Sequence, residues 1–399
     1  MRKWTALCLS LLLVAFAAVT ALASTPGELL IWADDTRVPV METLGAQFSE
    51  EYGVPVIVQE LGFGDIRSNL AVAGPAGEGP DIIVGAHDWL GELIVNGLIE
   101  PIDLAMADDF EQVTLDAFTW GEDLYGVPVN YEAIGLIYNK ALVPQAPETW
   151  EEMRAIATKL TDREKGRYGF LMQMPDPYHT FPLFSATGGY VFGEHEDGTL
   201  NPLDVGLNNA GSVRGMTEFD RLIEDGLLPA GTDYDTVTGL FNAGQVGMII
   251  TGPWALADAK SAGIDYGFAP IPTIDGGQPK PFVGVQGFMI SSFSENKILA
   301  DMFLQEFVVD TDVYLEMFGI DPRPPAYKPA LEIVGDDPIV LGVGLSGAVG
   351  VPMPSIPEMA SVWTAWSDAI ELVANQEMEP QAALDVAVEQ ILALIKEAR

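Results

Sequence analysis

Carboxylates and aromatic rings recur together at the points where apolar runs give way to polar turns. They are Asp34, Asp35 and Arg37 in ADDTR, His87, Asp88 and Trp89 in GAHDW, then Tyr131-Glu132, Asp176-Pro177-Tyr178, Tyr234, Gly252-Pro253-Trp254 and Trp363. An ionised carboxylate accepts several charge-assisted hydrogen bonds at once, and an aromatic face covers an apolar surface. A pyranose ring needs both, because its hydroxyls lie round the rim and its C–H groups on the faces. Carboxylates in the ring plane with Trp or Tyr above it would recognise both surfaces.

Local sequence leaves a second role open for most of these residues. Asp34 and Asp35 suit a helix cap as well as a ligand, and so does Asp88, while Trp89 and Trp254 suit a core. Tyr234 fits either turn packing or ligand contact. Trp363 and Trp366 are three apart and share one helical face, so one can stack on a ligand while the other is buried. His87 reads as a structural, hydrogen-bonded histidine. The three histidines stand outside metal-ligand spacing of one another, so neither a metal nor a cofactor is expected.

The elements that must position these groups read as α/β. Leu29 to Trp32 is a first strand; a helical pattern through Met41, Leu44 and Phe48 ends at Gly53, and Val54 to Val58 is a second strand. A helix around Ile66 to Val72, a glycine-rich loop from Gly74 to Gly79 and the strand Asp81 to Val84 repeat the unit. The strands are continuous apolar runs, which predicts parallel pairing under helices on both faces. In such sheets ligands bind beyond the carboxyl ends of the strands, where Asp88 and Trp89 stand. Farther on, Ile134 to Tyr138 and Val246 to Ile250 are strand-like, and Thr149 with Glu152 forms a capping box. Gly284 to Ile290 with a Lys297 to Val309 helix is too short for a domain and returns to complete an earlier one. The chain ends in helices, Trp363 to Val373 and then, from Pro380, Leu384, Val388, Ile391 and Ile395 on one face.

Charge and leader bound the destination. The formal net charge is −39, two units more negative once Arg2 and Lys3 are lost, so there is no basic stripe to neutralise a nucleic acid. Residues 1–23 read as a secretory leader: a basic start, an apolar run from Leu7 to Val19, and Ala21-Leu22-Ala23 as the cleavage point. The apolar run is shorter than the about 20 residues of a membrane span. Cys8, the only cysteine, lies inside the leader, so the mature chain has no thiol for a disulfide, a lipid anchor or a nucleophile, and a periplasm is the expected compartment.

Seven stretches in order, GPDIIVGAHD, LIYNKALVP with TWEE after it, DPYHTFPL, ATGGYVF, FNAGQVGMIITGPWA, KPFVGV and MPSIPEMASVW, resemble the maltose/maltodextrin-binding proteins, extracytoplasmic receptors of ATP-driven sugar importers. The resemblance covers nearly all of the mature chain. It implies a two-lobed periplasmic-binding-protein fold with a multi-stranded hinge and an oligosaccharide clamped between lobes: residues 24–131 and 284–332 in the amino-terminal lobe, 132–283 and 333–399 in the carboxy-terminal lobe. It implies ligand contacts from Asp35, Arg37 and Asp88 in the amino-terminal lobe, from Glu132 at the hinge, and from Asp176, Tyr178, Tyr234, Trp254 and Trp363 in the other lobe; Trp89, next to Asp88, is expected to cover a neighbouring apolar face of the ligand. It also implies a monomer that docks on membrane permease subunits and needs no cofactor. The sequence departs from the enteric bacterial members in a first turn one residue shorter, in Gly85 where they place a sugar-packing tryptophan, in Trp89 at a ligand-binding arginine, and in Thr364 for a tyrosine. Those departures bear on the choice among maltose, trehalose and longer α-glucans.

Two readings of other classes compete. A glycoside hydrolase would place two carboxylates about 5 to 9.5 Å apart across the scissile bond. A structural protein of the cell envelope would leave no solute signal in binding assays.

Overall fold

The computed structural model describes residues 25–398. The expected leader, its cleavage point and Cys8 lie outside them. Two apolar cores organise the chain. One draws on Leu29 to Val129 and again on Val285 to Ala330. The other draws on Ile134 to Phe282 and on Met353 to Ile395.

The first core surrounds a six-stranded sheet. Strands Leu29–Ala33, Val56–Glu60 and Ile82–Ala86 are parallel, and the wholly buried Leu29–Ala33 lies between the other two. The next strand turns round. Strand Phe282–Ile290 is antiparallel to both Ile82–Ala86 and Val127–Ala133, because it carries the chain back from the second core and needs no crossover helix. The second core holds a four-stranded sheet in the order Tyr266–Ala269, Gly135–Asn139, Val246–Thr251, Tyr168–Met172, in which only the last pair is parallel.

Three segments run side by side where the halves join. Strand Val127–Ala133 ends one residue before Gly135–Asn139 begins, so a nearly continuous extended chain passes from one sheet to the other. Phe282–Ile290 returns beside it, and Val351–Pro352 pairs with Phe282 and Val283.

Local chemistry sets several boundaries. Thr149 accepts from the Glu152 amide, and the Glu152 side chain accepts from the Thr149 amide, a complete capping box at helix Trp150–Leu160. Gly53 ends helix Val38–Tyr52 at φ 70°. The loop expected at Gly74 is instead the end of helix Phe63–Ala76, and the left-handed terminator is Gly77 at φ 72°. Gly74 has a packing role: a Cβ there would lie 2.7 Å from the Phe293 ring. Helix Lys297–Phe303 continues into a π-helical turn, Leu304–Val308.

Candidate functional site

The first polar turn is built around Asp34. Its Oδ1 accepts from the Thr36 and Arg37 amides at 3.2 and 3.1 Å, so Asp34 closes the turn that precedes helix Val38–Tyr52, whose N-cap position, Arg37, carries no side-chain cap bond. Arg37 opens helix Val38–Tyr52 and is only 2% exposed. Its Nη1 lies 3.0 Å from Asp34 Oδ2 and 3.4 Å from Asp321 Oδ2, and its Nη2 donates to Gln286 Oε1. The guanidinium expected at a ligand thus turns inward and is taken up by an ion-pair network. Asp35 is exposed.

At the carboxyl end of Ile82–Ala86, residues His87–Trp89 form a 3₁₀ turn that leads into helix Leu90–Val95. His87 has a fixed tautomer. The Val285 amide donates to Nδ1 at 3.1 Å, so Nε2 carries the proton and donates to the Met353 carbonyl at 3.1 Å. Burial, opposed by the bond to the Met353 carbonyl, lowers its pKa to about 4. Because both partners are buried backbone groups, His87→Phe is expected to lower stability by about 1–3 kcal/mol per orphaned group, read as a lower urea midpoint. An unchanged midpoint would show that neither bond matters.

Asp88 is 7% exposed, and its Oδ1 has no hydrogen-bond partner among the described residues. No side-chain cap is present at this turn, which removes the capping alternative for Asp88. Burial raises its pKa to about 7 against the pull of Arg67 and a backbone amide, and the like charges of Glu132 and Glu92 add to the rise. Trp89, expected against a ligand, is 6% exposed and sits in the first core. Its ring packs on Phe63 at 4.9 Å and under the Arg67 guanidinium at 5.8 Å. Gly85 makes this possible, since a Cβ there would meet the indole at 2.7 Å.

Glu132 stands on the crossing strand and is 9% exposed. Its Oε2 lies 3.1 Å from Arg323 Nη1 and accepts from Gln286 Nε2 at 3.4 Å, while Oε1 accepts from the Tyr178 hydroxyl at 3.5 Å. Burial raises its pKa and Asp321 adds to this, with Arg323 and Arg37 opposing. Arg323 Nε is also 3.0 Å from Asp321 Oδ2. Arg37, Asp34, Asp321, Arg323, Glu132 and Gln286 therefore form one buried, charged cluster.

Facing it from the second half is a row of rings. Trp254, delivered by the 3₁₀ turn Pro253–Ala255 after strand Val246–Thr251, lies 6.2 Å from Tyr178. Tyr178 lies 5.9 Å from Phe282, and Phe282 6.2 Å from Trp363. Trp363 is half-buried and Trp366 fully buried, so the two tryptophans divide as their spacing allowed. Asp176 caps helix Pro177–Ala186 through the His179 amide at 2.9 Å, and its Oδ1 is 3.1 Å from His179 Nδ1. Burial opposes its ionisation, but the His179 charge and hydrogen bonds, with Gln173, hold its pKa below the usual range. Tyr234 is half-buried; burial and the Asp258 charge raise its pKa to about 12, with Asp321 and Asp35 adding and Arg323 opposing.

The structure thus brings Asp88, Glu132, Tyr178, Trp254 and Trp363 to one junction, with Asp176 and Tyr234 at its second-half margin and Arg37 behind it. Arg323, Asp321, Gln286 and Phe282 belong to the same junction and were not singled out from sequence. The signal for the first two was available in Asp321-Pro322-Arg323-Pro324-Pro325, charged residues in a proline run that fixes the backbone.

Comparison with known proteins identifies the family and the fold. The bacterial extracellular solute-binding protein family matches residues 43–340. The galactooligosaccharide-binding protein of Bacillus subtilis is 32% identical, over 94% of this chain and 91% of its own length. The maltotriose-binding protein of Pyrococcus abyssi is 30% identical, over 92% and 82%. The structure of the Thermus thermophilus maltotriose binding protein bound with maltotriose superposes with a TM-score of 0.87 at 32% identity, covering 92% of this chain and 100% of that one.

Proposed function

The chain belongs to the bacterial extracellular solute-binding proteins, and on that premise we propose that it captures α-glucan oligosaccharides of the maltose and maltodextrin type and delivers them to an ATP-driven importer. The observation that carries this reading is the meeting of Asp88 and Glu132 with the row Trp254, Tyr178, Phe282 and Trp363. Acceptors on one side and rings on the other match the rim and faces of a pyranose. The names of two relatives, both maltotriose-binding, support the same class of ligand.

Residues 24–131 and 284–332 act as one lobe of a clamp, and residues 132–283 and 333–399 as the other. Asp35, Asp88, Glu132, Asp176, Tyr178, Tyr234, Trp254 and Trp363 are the ligand contacts, and Arg37 and Trp89 support them from behind. A ligand that touches both lobes favours the closed form by its differential affinity for it, and the closed form docks on permease subunits. The protein is exported; it works in the periplasm as a monomer, and no bond of the sugar is broken.

Isothermal titration against maltose, maltotriose, trehalose, a cyclic maltodextrin and a galactooligosaccharide tests the reading. Heat with maltose or maltotriose is expected. The Bacillus subtilis relative favours a second reading, a different oligosaccharide, and heat only with the galactooligosaccharide would select it. Release of shorter sugars from maltodextrin would instead mark a hydrolase.

A further inference from the structure

Arg323 is the one side chain of the buried charged cluster placed over a ring of the other lobe. Its backbone belongs to the first lobe: the Tyr131 amide donates to the Pro324 carbonyl at 3.1 Å, and the Ala326 amide to the Val129 carbonyl at 2.9 Å. Its charge is held there too, 3.1 Å from Glu132 and 3.0 Å from Asp321. Yet its Cζ lies 5.1 Å from the centre of the Trp254 ring, which is carried by the second sheet's turn after Val246–Thr251. Gly252 seats that indole, since a Cβ at Gly252 would meet it at 2.0 Å.

We propose that Arg323 is a positioning residue that latches the lobes together by stacking an anchored guanidinium on Trp254. The latch itself is independent of the sugar-receptor reading; its effect on ligand affinity rests on it. When the lobes part, the ion pairs to Asp321 and to Glu132, which stands at the lobe boundary on the first sheet's strand Val127–Ala133, stay with Arg323, and its contact with Trp254 is lost. That contact is one difference between the two arrangements, beside the bond from the Tyr178 hydroxyl to Glu132, and it favours the closed one. Because the guanidinium is already immobilised by two carboxylates, little side-chain freedom is lost when the indole arrives. It also holds the Trp254 ring in the orientation a sugar meets.

Arg323→Lys keeps the cation near Glu132 and Asp321 but lacks the planar, weakly hydrated group that stacks on a ring. Spin labels on cysteines introduced at exposed Val72 and Leu203, one on each lobe, report the distance between lobes. Without sugar, the variant is expected to show a larger population of the longer distance than the parent. With saturating maltotriose both proteins should reach the same short distance, and the variant should bind about fivefold more weakly, the factor for one cation–π contact. Arg323→Met serves as a second variant, expected to open at least as far. An identical sugar-free distance distribution in parent and both variants would overturn the latch. Absence of sugar binding in the parent would overturn the receptor reading instead, while the sugar-free comparison still decides the latch.

Discussion

Asp88→Asn is expected to weaken maltotriose binding by roughly ten- to a hundredfold and to make the folded protein more stable above pH 7. A hydrogen bond to a charged group contributes about 1.5–3 kcal/mol, and each 1.4 kcal/mol is a factor of ten. The amide keeps one acceptor but loses the charge. The stability gain follows from burial: Asp88 is 7% exposed with an unpartnered Oδ1, and its pKa rises from 3.8 to about 7 on folding. Below about pH 4 the group is protonated in both states and the variant should match the parent. Between pH 4 and 7 the folded parent holds a proton that the unfolded chain has lost, so this group's contribution to stability falls as pH rises. Above pH 7 the cost is complete.

His87 acts in the opposite sense, because its pKa falls from 6.5 to about 4 and the folded chain holds fewer protons between those values. Its contribution rises with pH over that window. In the parent the two slopes oppose; in Asp88→Asn the His87 slope is no longer opposed by that of Asp88, and stability should climb more steeply than in the parent from pH 4 to 6.5. Urea unfolding at pH 4, 6 and 8 with maltotriose titration at pH 8 checks both parts. Full sugar affinity in the variant would return Asp88 to a structural role.

Arg37→Met is expected to lower stability by about 3–5 kcal/mol, the cost of leaving buried charge uncompensated. Asp34 and Asp321 are each 4% exposed and both lie against the Arg37 guanidinium, so its removal leaves Asp34 without an ion-pair partner among the described residues and Asp321 with Arg323 alone. Adding Asp34→Asn should restore part of the loss, which separates a charge effect from a packing effect. Affinity of the folded variant for maltotriose should change less than tenfold if Arg37 supports the site from behind. Complete loss of binding at unchanged stability would make Arg37 a direct ligand contact.

These predictions depend on different parts of the molecule being legible in different ways. The capping box at Thr149 and Glu152, the stop at Gly53, the start at Pro380 and the buried face Leu384, Val388, Ile391 and Ile395 could all be read from the chain. Each is decided by neighbours within one or two helical turns. Antiparallel return of Phe282–Ile290 was not legible, because an apolar run looks alike whichever direction its partner takes.

Two tryptophans show where local information ends. Trp89 and Trp254 both follow a buried strand and a short 3₁₀ turn, each near a glycine that seats the ring. Trp89 was closed into the first core by Phe63 and Arg67, which come from a helix some twenty residues earlier; Trp254 was left at the junction under Arg323, which arrives from much farther along the chain. By itself the sequence determined the carboxylates and rings of the junction, the α/β elements and most of their ends, since these depend on side-chain chemistry and short-range periodicity. Tertiary structure alone decided that Arg37 turns inward, that Trp89 is core and that Arg323 lies over Trp254, because burial and ion pairing depend on partners that only folding brings within reach.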